Sequence, residues 1–161
     1  MQTAGFLAFG QGSVGLTAQA VGVDAGQWNE GVTIKAMAGN GGKLYVGATI
    51  STAGLSAWSG GATYAKGQRV TNGNNVYQCQ VGGIAAGSGG PTGNGQAIID
   101  GGVTWAFVGI GVVTPQNGYQ LNVGDSALFR WSNQDSTSLD AQTLSIVSDT
   151  TGPNKYCWSA N

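Results

Sequence analysis

Glycine recurs so often along this chain that no window is left for a long helix. It fills 30 of 161 positions, against a usual share of about 7%. In a helix interior each glycine costs about 1 kcal/mol relative to alanine. No extended stretch of good helix formers at 3.6-residue spacing survives these interruptions. The densest tract is SGGPTGNGQAIIDGGVTW, residues 88–105. There the glycines end in a run of strand formers and a tryptophan, so the tract reads as a compact loop feeding a closing strand. Val103, Trp105 and Phe107 share one face of that strand, because side chains alternate. Ile98 and Ile99 are expected to pin the loop to a core.

The short strand signals are separated by turn signals. Val32–Ala36 follows a turn at Asn29-Glu30-Gly31. Asn40-Gly41-Gly42 reads as a hairpin turn with residues 43–47 as partner strand. Asn117-Gly118 and residues 122–125 give further turns, the second leading into a strand over 126–131. Residues 144–147 alternate apolar and polar only in part, and Lys155-Tyr156-Cys157-Trp158 reads as a strand near the end of the sequence. In the middle, Tyr64 and Val70 bracket a turn, and Asn72-Gly73-Asn74 returns the chain into Val76-Tyr77-Gln78-Cys79. Many short strands with turns at such intervals indicate an all-β sandwich or barrel.

Composition excludes several classes. Hydrophobic residues make up 41%, enough for a core, while charged residues are only 8%, so the chain is not of the disordered type. The six cations, Lys35, Lys43, Lys66, Arg69, Arg130 and Lys155, are scattered. Nucleic-acid binding, which needs them clustered, is not expected. No apolar run approaches the ~20 residues of a membrane helix, and no membrane partner is expected. Ala18-Gln19-Ala20 has the small residues of a cleavage site, but no cation precedes it and the apolar stretch is broken, so a signal peptide is not the preferred reading. So little surface charge protects poorly against association, which favours a chain that lives in an assembly. Cys79 and Cys157 lack metal-site spacing and histidine is absent. No metal site or cofactor is expected, and two free thiols are preferred to a disulfide.

Catalysis finds no foothold either. Without histidine the commonest general base is missing. The carboxylates Asp24, Glu30, Asp100, Asp125, Asp135, Asp140 and Asp149 nominate no facing pair of the kind a glycosidase needs. Asp100 and Asp125 read as turn residues beside glycine. Gly87-Ser88-Gly89 lacks the strand–turn–helix setting of a nucleophile elbow. The chain is read as non-enzymatic.

GVTIKAMAGNGGKLYVG (31–47), TPQNGYQLNVGDS (114–126) and KYCW (155–158) resemble small virion proteins of tailed bacteriophages. The family order is restored when residues 54–110 are removed. The resemblance implies a discontinuous β-sandwich, jelly-roll-like, over 1–53 plus 111–161, which docks on the virion. The intervening piece carries Trp58, TYAKGQRV, NNVYQCQ, SGGPTG and DGGVTWAFVG. It resembles small modules of phage structural proteins, distantly similar to chitin-binding-type carbohydrate-binding modules. An insertion is tolerated when its ends lie close together, and its loop-entropy cost grows slowly with length.

The resemblance implies a capsid decoration or cement protein on the outer surface of the head, displaying a projecting β module. Its partner would be the major capsid protein or another virion protein, and a homotrimer is expected. The alternative is a tail or fibre protein whose module binds host surface glycan. For that role Trp58, Tyr64, Tyr77 and Trp105 could form a sugar-stacking platform. The competing reading makes them the core of a small module. It is preferred for Tyr77 and Trp105, and for Trp58 and Tyr64 the two readings stand level.

Overall fold

The computed structural model describes residues 8–21, 31–129 and 143–160. The described chain is all β, with fifteen strands. They are β1 (Ala8–Val14), β2 (Gln19–Ala20), β3 (Val32–Ala36), β4 (Leu44–Thr49), β5 (Ser56–Ala57), β6 (Thr63–Tyr64), β7 (Arg69–Asn72), β8 (Asn75–Val81), β9 (Gly83–Ile84), β10 (Ile98–Asp100), β11 (Val103–Ile110), β12 (Tyr119–Leu121), β13 (Ser126–Phe129), β14 (Thr143–Ser148) and β15 (Asn154–Ala160). The chain divides into two compact units, Met1–Ala48 with Val113–Asn161, and Thr49–Val112. The inserted unit thus begins five residues before, and ends two residues after, the expected 54–110.

The discontinuous unit is a β-sandwich of two four-stranded sheets, ordered β1-β15-β3-β13 and β12-β4-β14-β2. Numbering only this unit's described strands, the sheets run 1-8-3-6 and 5-4-7-2. The first strand lies beside the last and the second beside the seventh, which is the strand order of a jelly roll. Alternation builds the core. Val32, Ile34 and Ala36 face inward from β3 while Lys35 faces out, and Leu44, Val46, Leu121, Leu144 and Ile146 meet them from the other sheet. Tyr156 and Trp158 cover β1, where Gly10 and Gly12 leave room. A Cβ on either would stand 2.5–2.6 Å from the facing ring.

The partial alternation of 144–147 has a physical cause. Leu144 and Ile146 face the main core, while Val147 packs on the opposite face with Tyr45, Val113 and Ala18. β14 is therefore buried on both faces.

The turn at residues 40–42 is not a hairpin, because β3 and β4 lie in different sheets. Asn40 explains why. Its side-chain amide donates to the Lys155 carbonyl (2.9 Å) and accepts from the Lys155 amide (2.7 Å), so it continues the ladder beside β15 in place of a strand residue. The Gly42 amide then donates to Asn154 Oδ1 (3.1 Å) and the Lys43 amide to Asp149 Oδ1 (2.9 Å). The chain is handed across the sandwich by side-chain acceptors, so it needs no hairpin ladder. The turn over 122–125 also links the two sheets, with the Asp125 amide donating to the Asn122 carbonyl (3.0 Å). Asn29, Glu30, Arg130 and Trp131, assigned above to a turn and a strand end, lie outside the described residues.

The inserted unit holds a five-stranded sheet, β10-β11-β8-β7-β5, and a two-stranded one, β6-β9. β7 and β8 pair antiparallel through the Gly73-Asn74 turn, as expected. The unit closes on itself where the Ile50 amide donates to the Ile110 carbonyl (2.9 Å). Its core is separate and aromatic: Trp105, Tyr77, Tyr64, Val70, Val103, Cys79 and Ala85 are buried, with Trp58, Ile98 and Phe107 packed against them. Ile98 pins the loop, but its neighbour Ile99 does not. Strand alternation turns Ile99 outward, where it is 80% exposed.

Candidate functional site

The glycine tract and the early tryptophan of the inserted unit converge on one carboxylate. Asp100 is the only Asp or Glu between residues 49 and 112, and it is buried. β10 ends on it and the Gly101-Gly102 turn follows. Its Oδ2 accepts from the indole Nε1 of Trp58 (2.8 Å) and of Trp105 (3.0 Å). Its Oδ1 accepts from the Ala86 amide (3.0 Å). Three neutral donors therefore hold a buried anion, and charged hydrogen bonds of this kind are the strong ones. The turn reading of Asp100 was right but incomplete. The signal for its second role was a lone acid among aromatics and glycines.

Gly90 lies against the indole of Trp58. A Cβ there would stand 2.8 Å from Cδ2, so only glycine lets the loop backbone come this close. Asn72 Nδ2 holds the same loop by donating to the carbonyls of Gly89 (3.3 Å) and Pro91 (3.0 Å). Within the tract, Gly90 is the glycine that brings backbone onto a tryptophan.

The four expected platform residues are gathered in one unit but do not present a platform. Trp105 and Tyr77 are 0% and 1% exposed, and Tyr64 is buried too. The Tyr64 ring meets Trp105 edge-on at 4.9 Å, and Tyr77 meets Phe107 at 5.9 Å. Their hydroxyls are also committed. The Ser59 amide donates to Tyr64 Oη (2.7 Å), and Tyr77 Oη donates to the Gly93 carbonyl (3.0 Å). Faces needed for a sugar are spent on neighbours, because a unit this small depends on its aromatic side chains for buried area. Trp58 alone of the four stays partly exposed.

A shallow groove of about 240 Å³ opens elsewhere on the unit, lined by Thr52, Leu55, Thr71, Asn74, Asn75 and Val112 among others. No ionisable side chain lines it. Both cysteines are free. Burial pushes the Cys79 thiol above its ordinary range, which disfavours the reactive thiolate. Among the described residues no group of three His, Cys, Asp or Glu stands close enough to hold a metal ion. No helix among them is long and apolar enough to cross a membrane. No family model, curated protein or solved structure matches the chain.

Proposed function

We propose that this chain is a non-enzymatic structural protein of a tailed-bacteriophage virion, with the jelly-roll unit docking on the particle and the inserted unit displayed from it. The observation that carries this reading is the strand order 1-8-3-6 and 5-4-7-2. Jelly rolls recur in capsid and lectin domains, among others, and fold alone does not fix function. The sequence segments that resemble virion proteins supply the choice: residues 31–47 and 155–158 build β3, β4 and β15, and 114–126 builds β12 and leads into β13. A decoration or cement role on the outer head surface follows from that resemblance, with the major capsid protein as partner and a homotrimer as the assembled form.

Two measurements test the proposal. Electron micrographs of virions labelled for this chain should show symmetrical label over the head. Label confined to the tail tip would replace this reading with the glycan-binding one, for which partly exposed Trp58 is the remaining aromatic candidate. Light scattering at micromolar concentration should return a trimer. A stable monomer, with isolated copies on the virion, would remove the cement role.

A further inference from the structure

Asn-Gly occurs four times in this sequence, at Asn40, Asn72, Asn94 and Asn117. The dipeptide carries its own chemistry. When base removes the proton of the glycine amide, the nitrogen can attack the asparagine Cγ, and glycine offers no Cβ to obstruct the approach. The new N–Cγ bond forms, the Cγ–Nδ2 bond breaks, and ammonia leaves. Water then opens the cyclic imide at either carbonyl, giving aspartate or isoaspartate. The reaction needs an asparagine side chain free to rotate onto the following nitrogen, and access for base and water.

Three of the four sites are held. The Asn40 amide is bonded twice to the Lys155 backbone. Asn72 Nδ2 is bonded to the Gly89 and Pro91 carbonyls. Asn117 Oδ1 accepts from the Thr114 amide (2.6 Å), and the Gly118 amide is itself occupied by the Thr114 carbonyl (2.9 Å). Asn94 differs: it is exposed where Asn40, Asn72 and Asn117 are half-buried, and its side chain makes no hydrogen bond among the described residues. Gly95 is exposed, as are Gly41 and Gly73, so the side chain's freedom sets this site apart.

We infer that Asn94 is a site of spontaneous deamidation in the folded protein, ahead of the other three. The product matters to this surface. Asp100, the sole acid between residues 49 and 112, is buried, so conversion of Asn94 places the first exposed carboxylate on the inserted unit.

The test is incubation of the full-length protein at mildly alkaline pH, with site-resolved mass spectrometry and isoelectric focusing over time. Asn94 should convert at least about tenfold faster than each held site, since those must first give up hydrogen bonds. In denaturant the four rates should draw together. Gly95→Ala should suppress conversion at residue 94 without unfolding, because an added Cβ meets only Ile98 Cγ1, at 3.4 Å. Conversion of Asn40, Asn72 or Asn117 as fast as Asn94 in the folded protein would overturn the inference. So would an unchanged Asn94 alongside reacting sites in the denatured control.

Discussion

Asp100→Asn is expected to destabilise the inserted unit by about 3 kcal/mol, although the change removes only one charge and almost no volume. Every neighbour of this carboxylate is a donor: two indole N–H groups on Oδ2 and the Ala86 amide on Oδ1. An asparagine has one acceptor atom and one donor group. If its oxygen serves the indoles, its NH₂ confronts the Ala86 amide. If it is flipped, both indoles are left without an acceptor in a buried site. Either arrangement leaves at least one buried donor unsatisfied, at about 1–3 kcal/mol, and replaces charged hydrogen bonds by neutral ones. Trp58→Phe loses a single bond and should cost about 1 kcal/mol. Hydrogen exchange of the full-length protein, read over residues 98–107, measures both. Exchange in Asp100→Asn no faster than in Trp58→Phe would show that the carboxylate does not organise this core.

That carboxylate also shows what the sequence made legible and what it did not. Strand content and the shared face of Val103, Trp105 and Phe107 on β11 follow from local rules: glycine frequency, turn dipeptides and alternation. The bounds of the inserted piece come instead from the resemblance of the flanking segments. The role of Asp100 follows from neither, because it depends on Trp58 and Ala86, which lie 42 and 14 positions away. The choice between platform and core stood open at Trp58 and Tyr64 for a related reason. Periodicity says which residues share a face, but it does not say whether another layer covers that face, and here Tyr64 and Trp105 cover each other. Asn40 misled in the same way. Its dipeptide marks a turn correctly, yet the partner that decides between a hairpin and a crossing is Lys155, 115 positions away. Local signals located the breaks in the chain, and long-range partners decided what the breaks connect.

Removing residues 49–112 and joining Ala48 to Val113 is expected to leave a folded, cooperatively melting jelly roll that keeps its attachment to the particle. The join is geometrically mild. Val113 already lies beside Gly47, with 3.1 Å from an added Cβ on Gly47 to Val113 Cγ2, and Tyr119 pairs with Val46 across β12 and β4. The shortened connection keeps the turn in which the Gly118 amide donates to the Thr114 carbonyl. No core residue of the sandwich is lost, because the cluster around Ile34 and Leu44 and the one around Tyr45 draw on no side chain from 49–112. In the intact chain, Gly101→Val should do the converse. Gly101 sits at φ +62°, and an added Cβ would stand 2.6 Å from the Ala86 amide nitrogen and 2.9 Å from the Ala85 carbonyl carbon, both backbone atoms that cannot swing aside. Left-handed strain and overpacking together cost about 2–5 kcal/mol, comparable to the whole stability of a unit of this size. Gly93→Val, also at positive φ (+79°) but with nothing within 4 Å, should cost only the strain of about 1–2 kcal/mol. Thermal melting with virion attachment as the second readout decides the matter. An unfolded deletion variant, or loss of attachment in Gly101→Val, would mean that the sandwich depends on the inserted unit for its own stability.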